Sequence, residues 1–213
     1  YKNEKFIRIG LHDLGGAIDL LETLHQLSEL ADASVQAVLD VTLAELNKNY
    51  GAVPHGTRRD PSLATSRDSA GRFTVIGGGK MGGRELDYNS DLDLIFVYDA
   101  GEEAESLGGL HGPLPAHEFY VRLGQKLLSY LSAPTEEGIL YKIDMQLRPS
   151  GKSGPLVSSF AAFREYHKSS SQLWERQALI KTRSVAGDKT LGAEVENITA
   201  TFAYSKGLAP DDI

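Results

Sequence analysis

The sequence predicts an α+β protein in which a mixed sheet has flanking helices at both ends of the chain. Apolar side chains recur at helical spacing through residues 2–50, which predicts a short helix followed by a long one. Residues 92–98, LDLIFVY, are almost continuously apolar and predict a buried strand. Residues 139–148 alternate between apolar and polar side chains, which predicts a strand with one polar face.

Further elements follow from local signals along the chain. Residues 73–76 predict a short strand that leads into a glycine-rich turn. Residues 116–131 carry apolar side chains at helical spacing between Pro115 and Pro134, and this pattern predicts a helix.

The last third of the chain is predicted to be helical. A first helix is expected to begin near Ser159. A second is expected to contain Trp174, as a core residue, and Val185, and to end at Gly187. A third is expected to follow Asp188, whose side chain suits a helix N-cap.

These elements suggest an organisation in four parts. Residues 1–50 form an N-terminal helical segment, and residues 51–70, rich in proline, glycine and small polar residues, form a linker. Residues 71–157 form the core, and residues 158–213 form a C-terminal helical segment that begins a longer helical domain. Because the chain does not begin with Met and ends at Asp211-Asp212-Ile213, we expect it to be a fragment of a larger protein.

Composition restricts the class of protein. The chain of 213 residues has a formal net charge of −7, which argues against a nucleic-acid partner because such proteins usually present a basic face. No stretch reaches the roughly 18 to 20 apolar residues needed to cross a bilayer, so we expect no membrane association and a cytoplasmic location. The absence of cysteine excludes disulfides and thiolate metal sites.

Three aspartates are the candidate catalytic and metal-binding residues. Asp91 and Asp93 are two positions apart on a predicted strand, so their carboxylates project to the same side. Asp144 lies on the polar face of another predicted strand. Such a cluster can hold two Mg²⁺ ions that orient a nucleotide triphosphate, with Mn²⁺ as an alternative. The other interpretation is an acidic strand end that faces water.

The glycine-rich stretch between the first two predicted strands is the candidate phosphate-binding turn. Gly77, Gly79 and Gly82 match the Gly-x-Gly-x-x-Gly pattern of dinucleotide-binding folds. The spacing excludes that fold, because residues 84–90 are too few for a crossover helix of about 10 or more residues. Gly78 and Gly79 are therefore interpreted as a turn where the backbone approaches phosphate oxygens.

Three side chains near these positions are candidate phosphate donors. Lys80 follows the glycines, and Ser90 precedes the first aspartate. Arg148 is expected to share a strand face with Asp144 and could clamp a phosphate with its fork of donors. Each has an ordinary alternative: Lys80 as a surface lysine, Ser90 as the start of a strand, and Arg148 as a structural partner of the aspartates.

Three long segments carry a family resemblance. GGGKMGGRELDYNSDLDLIFVYD, GILYKIDMQLRPSGKSGPLVSS and LWERQALIKTRSVAGD resemble, in this order, segments of the bacterial glutamine synthetase adenylyltransferase family. The resemblance implies a polymerase-beta-like nucleotidyltransferase core with ATP as substrate. It places the metal-binding acidic residues on Asp91, Asp93 and Asp144, and the glycine motif on Gly78 and Gly79.

The resemblance also implies a function and partners. One half of these bifunctional enzymes transfers AMP from ATP to a tyrosine of glutamine synthetase, which controls nitrogen assimilation. The other half removes the AMP by phosphorolysis and yields ADP. The stretches RPSGKSGPLV and WERQALIKTRSVAGD favour the C-terminal, adenylylating half, with the removing half as the alternative and a non-catalytic nucleotide sensor as a second one. The PII signalling protein would act through regions outside this chain.

Overall fold

The computed structural model describes residues 1–54, 71–101, 103–169 and 173–204, so most of the predicted linker lies outside the described residues. The α-helices in these ranges are α1 (Lys2–Leu14), α2 (Leu20–Tyr50), α3 (Gly79–Gly82), α4 (Ala116–Ser132), α5 (Phe160–Ser169), α6 (Leu173–Leu179) and α7 (Lys189–Ala203). The strands are β1 (Arg72–Gly77), β2 (Leu92–Asp99), β3 (Pro134–Thr135), β4 (Gly138–Ile139), β5 (Ile143–Asp144), β6 (Val157–Ser159) and β7 (Arg183–Gly187). The predicted α+β class is confirmed.

The two N-terminal helices are confirmed. Gly16 lies between them with a φ of +67°, a conformation that glycine adopts readily. The second helix begins after Asp19, whose side chain accepts a hydrogen bond of 2.8 Å from the Glu22 N–H. This cap satisfies one of the donors that the first turn of α2 leaves without a helical partner.

The main sheet is mixed, as expected. Its order is β5-β2-β1-β7, and β6 also pairs with β2. The strand β1 is antiparallel to both of its neighbours, β2 and β7. The strands β5 and β6 both run parallel to β2. Because β5 pairs with the start of β2 and β6 with its end, the two short strands share one edge of it.

Both faces of β2 are covered, which explains its almost continuous apolar sequence. Leu94 and Phe96 belong to the core cluster that includes side chains of α2 and α4. Ile95 and Val97 belong to a second cluster with side chains of α5, α6 and α7. Asp93 has the same strand parity as Ile95, so it projects on the side of the C-terminal helices, near the end of the sheet.

The predicted strand over residues 139–148 is wrong in its extent. Only Ile143 and Asp144 pair with β2, and the chain then turns. The turn is necessary because β6, a strand that was not predicted from the sequence, occupies the next part of the same edge. The alternating pattern is therefore interrupted, and Leu147 packs against the second cluster rather than with Ile143.

The second predicted helix of the last third is also wrong in its extent. The helix α6 ends at Leu179, and residues 183–187 form β7, which pairs with β1. Trp174 is 49% exposed rather than part of the core. The division into a core and a C-terminal helical segment stays an interpretation, but β7 ties the latter segment to the main sheet.

The helix α7 begins where it was predicted, and its cap offers a first test. The Asp188 carboxylate accepts a hydrogen bond of 2.7 Å from the Leu191 N–H. We expect Asp188→Ala to lower the free energy of unfolding by about 1 kcal/mol, because it removes this acceptor. Asp188→Asn, which keeps an oxygen acceptor, should cost much less. Urea unfolding curves that coincide for the two variants would contradict the assignment of the cap.

No helix among the described residues is long and apolar enough to cross a membrane. The cytoplasmic location stays a prediction.

Candidate active site

The three predicted aspartates lie at one end of the main sheet. Asp93 and Asp144 are paired neighbours on the parallel strands β2 and β5, and Asp91 immediately precedes β2. Burial raises the pKa of Asp93, and the negative charges of Asp144 and Asp91 raise it further. The structure therefore brings together three carboxylates that were predicted from two separate parts of the sequence, closely enough to repel one another.

The donor chemistry of this cluster fits a hard divalent cation, since such ions take carboxylate oxygens and relieve the repulsion between them. In the described part of the chain, however, no three His, Cys, Asp or Glu side chains are gathered as a ready metal site. The Asp144 oxygens instead accept hydrogen bonds of 2.8 Å from the backbone N–H and the side-chain amide of Gln146. Metal binding by the three aspartates thus stays a prediction.

The glycine turn packs directly on the aspartates. The Gly78 N–H donates a hydrogen bond of 2.9 Å to the backbone carbonyl of Asp93. A Cβ at Gly78 would lie 2.5 Å from the Leu147 side chain. Gly79 has a φ of +51°, and an added Cβ there would overlap the Asp93 carboxylate. The positive φ and the contact with Asp93 therefore favour glycine at position 79, whereas a side chain at position 78 would require Leu147 to move.

Lys80 and Ser90 meet at Asp87, a residue that was not singled out from the sequence. The Lys80 ammonium lies 2.7 Å from the Asp87 carboxylate, and the Ser90 hydroxyl accepts a hydrogen bond of 3.0 Å from the Asp87 N–H. The Lys80 hydrogen bond, with help from the Asn89 N–H, lowers the pKa of Asp87 to about 2. The pattern Asp-Tyr-Asn-Ser is a recognisable Asx-turn signal that could have identified this loop.

Arg148 does not share a face with Asp144, because β5 ends before it. Its guanidinium donates hydrogen bonds to the backbone carbonyls of Met145, Lys152 and Gly154, at 2.8, 3.1 and 3.3 Å. Arg148 therefore stabilises the turn that leads from β5 to β6. A phosphate contact by this side chain stays a prediction. Gln146, two positions after Asp144, was overlooked although it followed the same alternation.

A cavity of about 180 Å³ lies beside this site, between α1 and the loop that leads to Asp91. Its lining includes Lys2, Phe6, Tyr88 and Tyr141, but none of the three aspartates. The Lys2 ammonium donates a hydrogen bond of 2.6 Å to the Leu140 carbonyl and lies 4.4 Å from the centre of the Tyr141 ring. Burial lowers the pKa of Lys2. These contacts hold α1 against the segment between β4 and β5.

Comparison with known proteins gives consistent matches. The family model described as glutamate-ammonia ligase adenylyltransferase matches residues 1–198. A bifunctional glutamine synthetase adenylyltransferase/adenylyl-removing enzyme of Mannheimia haemolytica is 38% identical over 93% of this chain and 19% of the relative. The enzyme of the same name from Burkholderia pseudomallei is 39% identical over 97% of this chain and 22% of the relative. The chain thus spans about a fifth of the length of these relatives.

Proposed function

This chain belongs to the glutamate-ammonia ligase adenylyltransferase family, and from that premise we propose that it is a metal-dependent nucleotidyltransferase domain. The proposed reaction transfers AMP from ATP to a tyrosine of glutamine synthetase. The relatives are named for both adenylylation and adenylyl removal. The proposed domain would supply the first activity, as part of the C-terminal half of the longer enzyme.

One observation carries this proposal. Asp93 and Asp144 stand side by side on parallel strands, with Asp91 two residues before Asp93 and the Gly78–Gly79 turn packed on the same strand. A cluster of carboxylates that repel one another costs folding stability, which is typical of sites kept for function. The adjacent glycine turn places backbone that carries no Cβ atoms beside the carboxylates, where the phosphates would bind.

The cluster would hold the metal ions of the reaction. Asp91, Asp93 and Asp144 are the ligands in the proposal, and two Mg²⁺ ions, or Mn²⁺, would supply charge neutralisation for the triphosphate. The outer phosphates would lie along Gly78 and Gly79. Lys80 and Ser90 would add donors there, which requires Lys80 to exchange its Asp87 partner for phosphate.

The remaining chemistry concerns the acceptor hydroxyl. An unperturbed tyrosine has a pKa of about 10, so it needs a base to react at neutral pH. Asp144 is the proposed base, because it faces the cluster from the neighbouring strand. The tyrosine oxygen attacks the α-phosphorus of ATP, the bond to the β-phosphate breaks, and pyrophosphate leaves while Asp144 takes the phenolic proton. The removal of AMP would use inorganic phosphate as the attacking group instead.

Paired assays with purified glutamine synthetase test this proposal. One reaction contains the chain, Mg²⁺ and ATP labelled at the α-phosphate, and the other contains the chain, adenylylated glutamine synthetase and inorganic phosphate. We expect label on the synthetase in the first reaction. Release of ADP in the second reaction alone would assign the removing activity. Bound nucleotide with no turnover in either would favour a sensor.

The regulatory partner and the location are also part of the proposal. The PII signalling protein would act through regions of the longer enzyme outside this chain, and the enzyme would work in the cytoplasm. Adding PII to the paired assays should therefore leave the activity of this chain unchanged, whereas the longer enzyme should respond.

A further inference from the structure

A partly buried ion pair lies behind the glycine turn, on the side away from Asp93. Arg183, on β7, donates hydrogen bonds of 2.7 and 3.0 Å to the two carboxylate oxygens of Asp32, in the middle of α2. The two side chains are 20% and 21% exposed. Burial raises the pKa of Asp32, and the Arg183 hydrogen bond opposes this effect. The pair therefore depends on the fixed fork geometry of arginine.

The same guanidinium reaches the short helix that follows the glycine turn. Its Nη2 donates a hydrogen bond of 3.1 Å to the backbone carbonyl of Met81, in α3. Arg183 also stands directly opposite Gly77, the residue that precedes the turn, in the β1–β7 pairing. Arg183 thus contacts both α2 and α3, and its strand, β7, pairs with β1 at the residue where the glycine turn begins.

The backbone around this contact leaves little freedom. A Cβ at Gly82 would overlap the carbonyl oxygen of Lys181, so α3 rests directly on the chain that enters β7. A Cβ at Gly77 would lie 2.9 Å from both Met81 and Val185. The glycine turn is consequently supported by β2 on one side, through Asp93, and by β7 on the other, through Arg183.

We propose that Arg183 is a positioning residue for nucleotide binding: it holds α3, and with it the Gly78–Gly79 turn, at the place where the turn meets the triphosphate. This inference rests on the proposed function. Arg183 acts through the Met81 carbonyl and Asp32, and it does not touch the substrate. Lysine at this position keeps the charge but cannot satisfy both Asp32 oxygens and the Met81 carbonyl with one planar group.

The chain provides a matched control at the other end of β1. Arg72 is 23% exposed and forms ion pairs with Asp99 and Glu194, at a distance of 2.8 Å for the latter. Arg72→Lys therefore disturbs a comparable network in the same sheet without contacting α3. A general loss of stability affects both variants, whereas a loss of turn geometry affects Arg183→Lys alone.

The experiment measures Mg²⁺-ATP binding by calorimetry and the KM and kcat of AMP transfer, with thermal unfolding as the check on folding. Arg183→Lys should weaken ATP binding and raise KM by about tenfold or more, as the loss of an orienting partner does at other sites. Arg72→Lys should stay within about twofold of the parent at a similar loss of stability. Asp32→Asn, which keeps an oxygen acceptor for Arg183, should give an intermediate increase and serves if Arg183→Lys fails to fold.

Unchanged ATP binding in Arg183→Lys, or in Asp32→Asn if that variant alone folds, would overturn the inference. An equal weakening in Arg72→Lys would overturn it as well, because the effect would then reflect stability. Failure of the parent chain to bind Mg²⁺-ATP is a different result, since it would remove the proposed function itself and the inference with it.

Discussion

Asp93→Asn is expected to abolish AMP transfer while making the metal-free protein more stable. The loss of activity should be about 10³-fold or more, because a metal ligand supports several kcal/mol of transition-state stabilisation and each 1.4 kcal/mol is about tenfold in rate. The gain in stability follows because burial, Asp144 and Asp91 all disfavour the charged form of Asp93. Activity assays and thermal unfolding in the presence of a chelator measure the two effects.

The gain in stability from Asp93→Asn should increase as the pH rises. The pKa of Asp93 is raised in the folded state, so protonation of Asp93 stabilises the protein below the unfolded pKa of about 3.9, and this contribution is lost as pH rises through the folded pKa. The advantage of Asp93→Asn should accordingly be small at low pH and largest at neutral pH. A constant difference at all pH values would contradict the electrostatic explanation.

Gly79→Ala is expected to cost more activity than stability. The positive φ of +51° should cost about 1 to 2 kcal/mol for alanine. The new Cβ would also displace the Asp93 carboxylate, and a displacement of about 1 Å at a reacting centre can cost about 100-fold in rate. Steady-state kinetics and urea unfolding of the same preparation separate these two effects.

Gly16→Ala is the matched control for this substitution. Gly16 has a similar φ of +67°, but nothing lies within 4 Å of an added Cβ. It should therefore show the same cost in stability and keep full activity. If Gly79→Ala loses no more activity than Gly16→Ala, the close contact between the turn and Asp93 has no part in the reaction.

Much of the local structure was predictable because it depends on neighbours in the sequence. Helical spacing identified α1, α2 and α4, and the N-cap preference of aspartate identified the start of α7. The continuous apolar run at residues 92–98 likewise predicted β2, because a buried strand is marked by its own side chains. The mistakes at Val185 and in residues 139–148 arose because pairing with β1 and β2 overrode the local pattern.

The candidate site also combines features that local sequence predicts with features that strand pairing decides. Strand parity was enough to place Asp91 and Asp93 on one side. The few residues between Gly82 and β2 were enough to exclude a dinucleotide fold, because they leave no room for a crossover helix. The strand patterns predicted that Asp144 joins Asp91 and Asp93, but its position directly beside Asp93 comes from the register of the β2–β5 pairing. Arg148 could not be assigned correctly, because its partners are carbonyls presented by a turn that the alternating pattern concealed.

By itself, the sequence determined the α+β class, the main helices and the two central strands, and it predicted the aspartates and glycines of the candidate site, since each of these features has a signal in neighbouring residues. Only the tertiary structure decided that β7 joins the sheet, that Gly79 must be small because Asp93 lies against it, and that Arg183 meets Asp32 across a separation of 151 residues. Such contacts have no local signal, because they arise only when distant elements pack together.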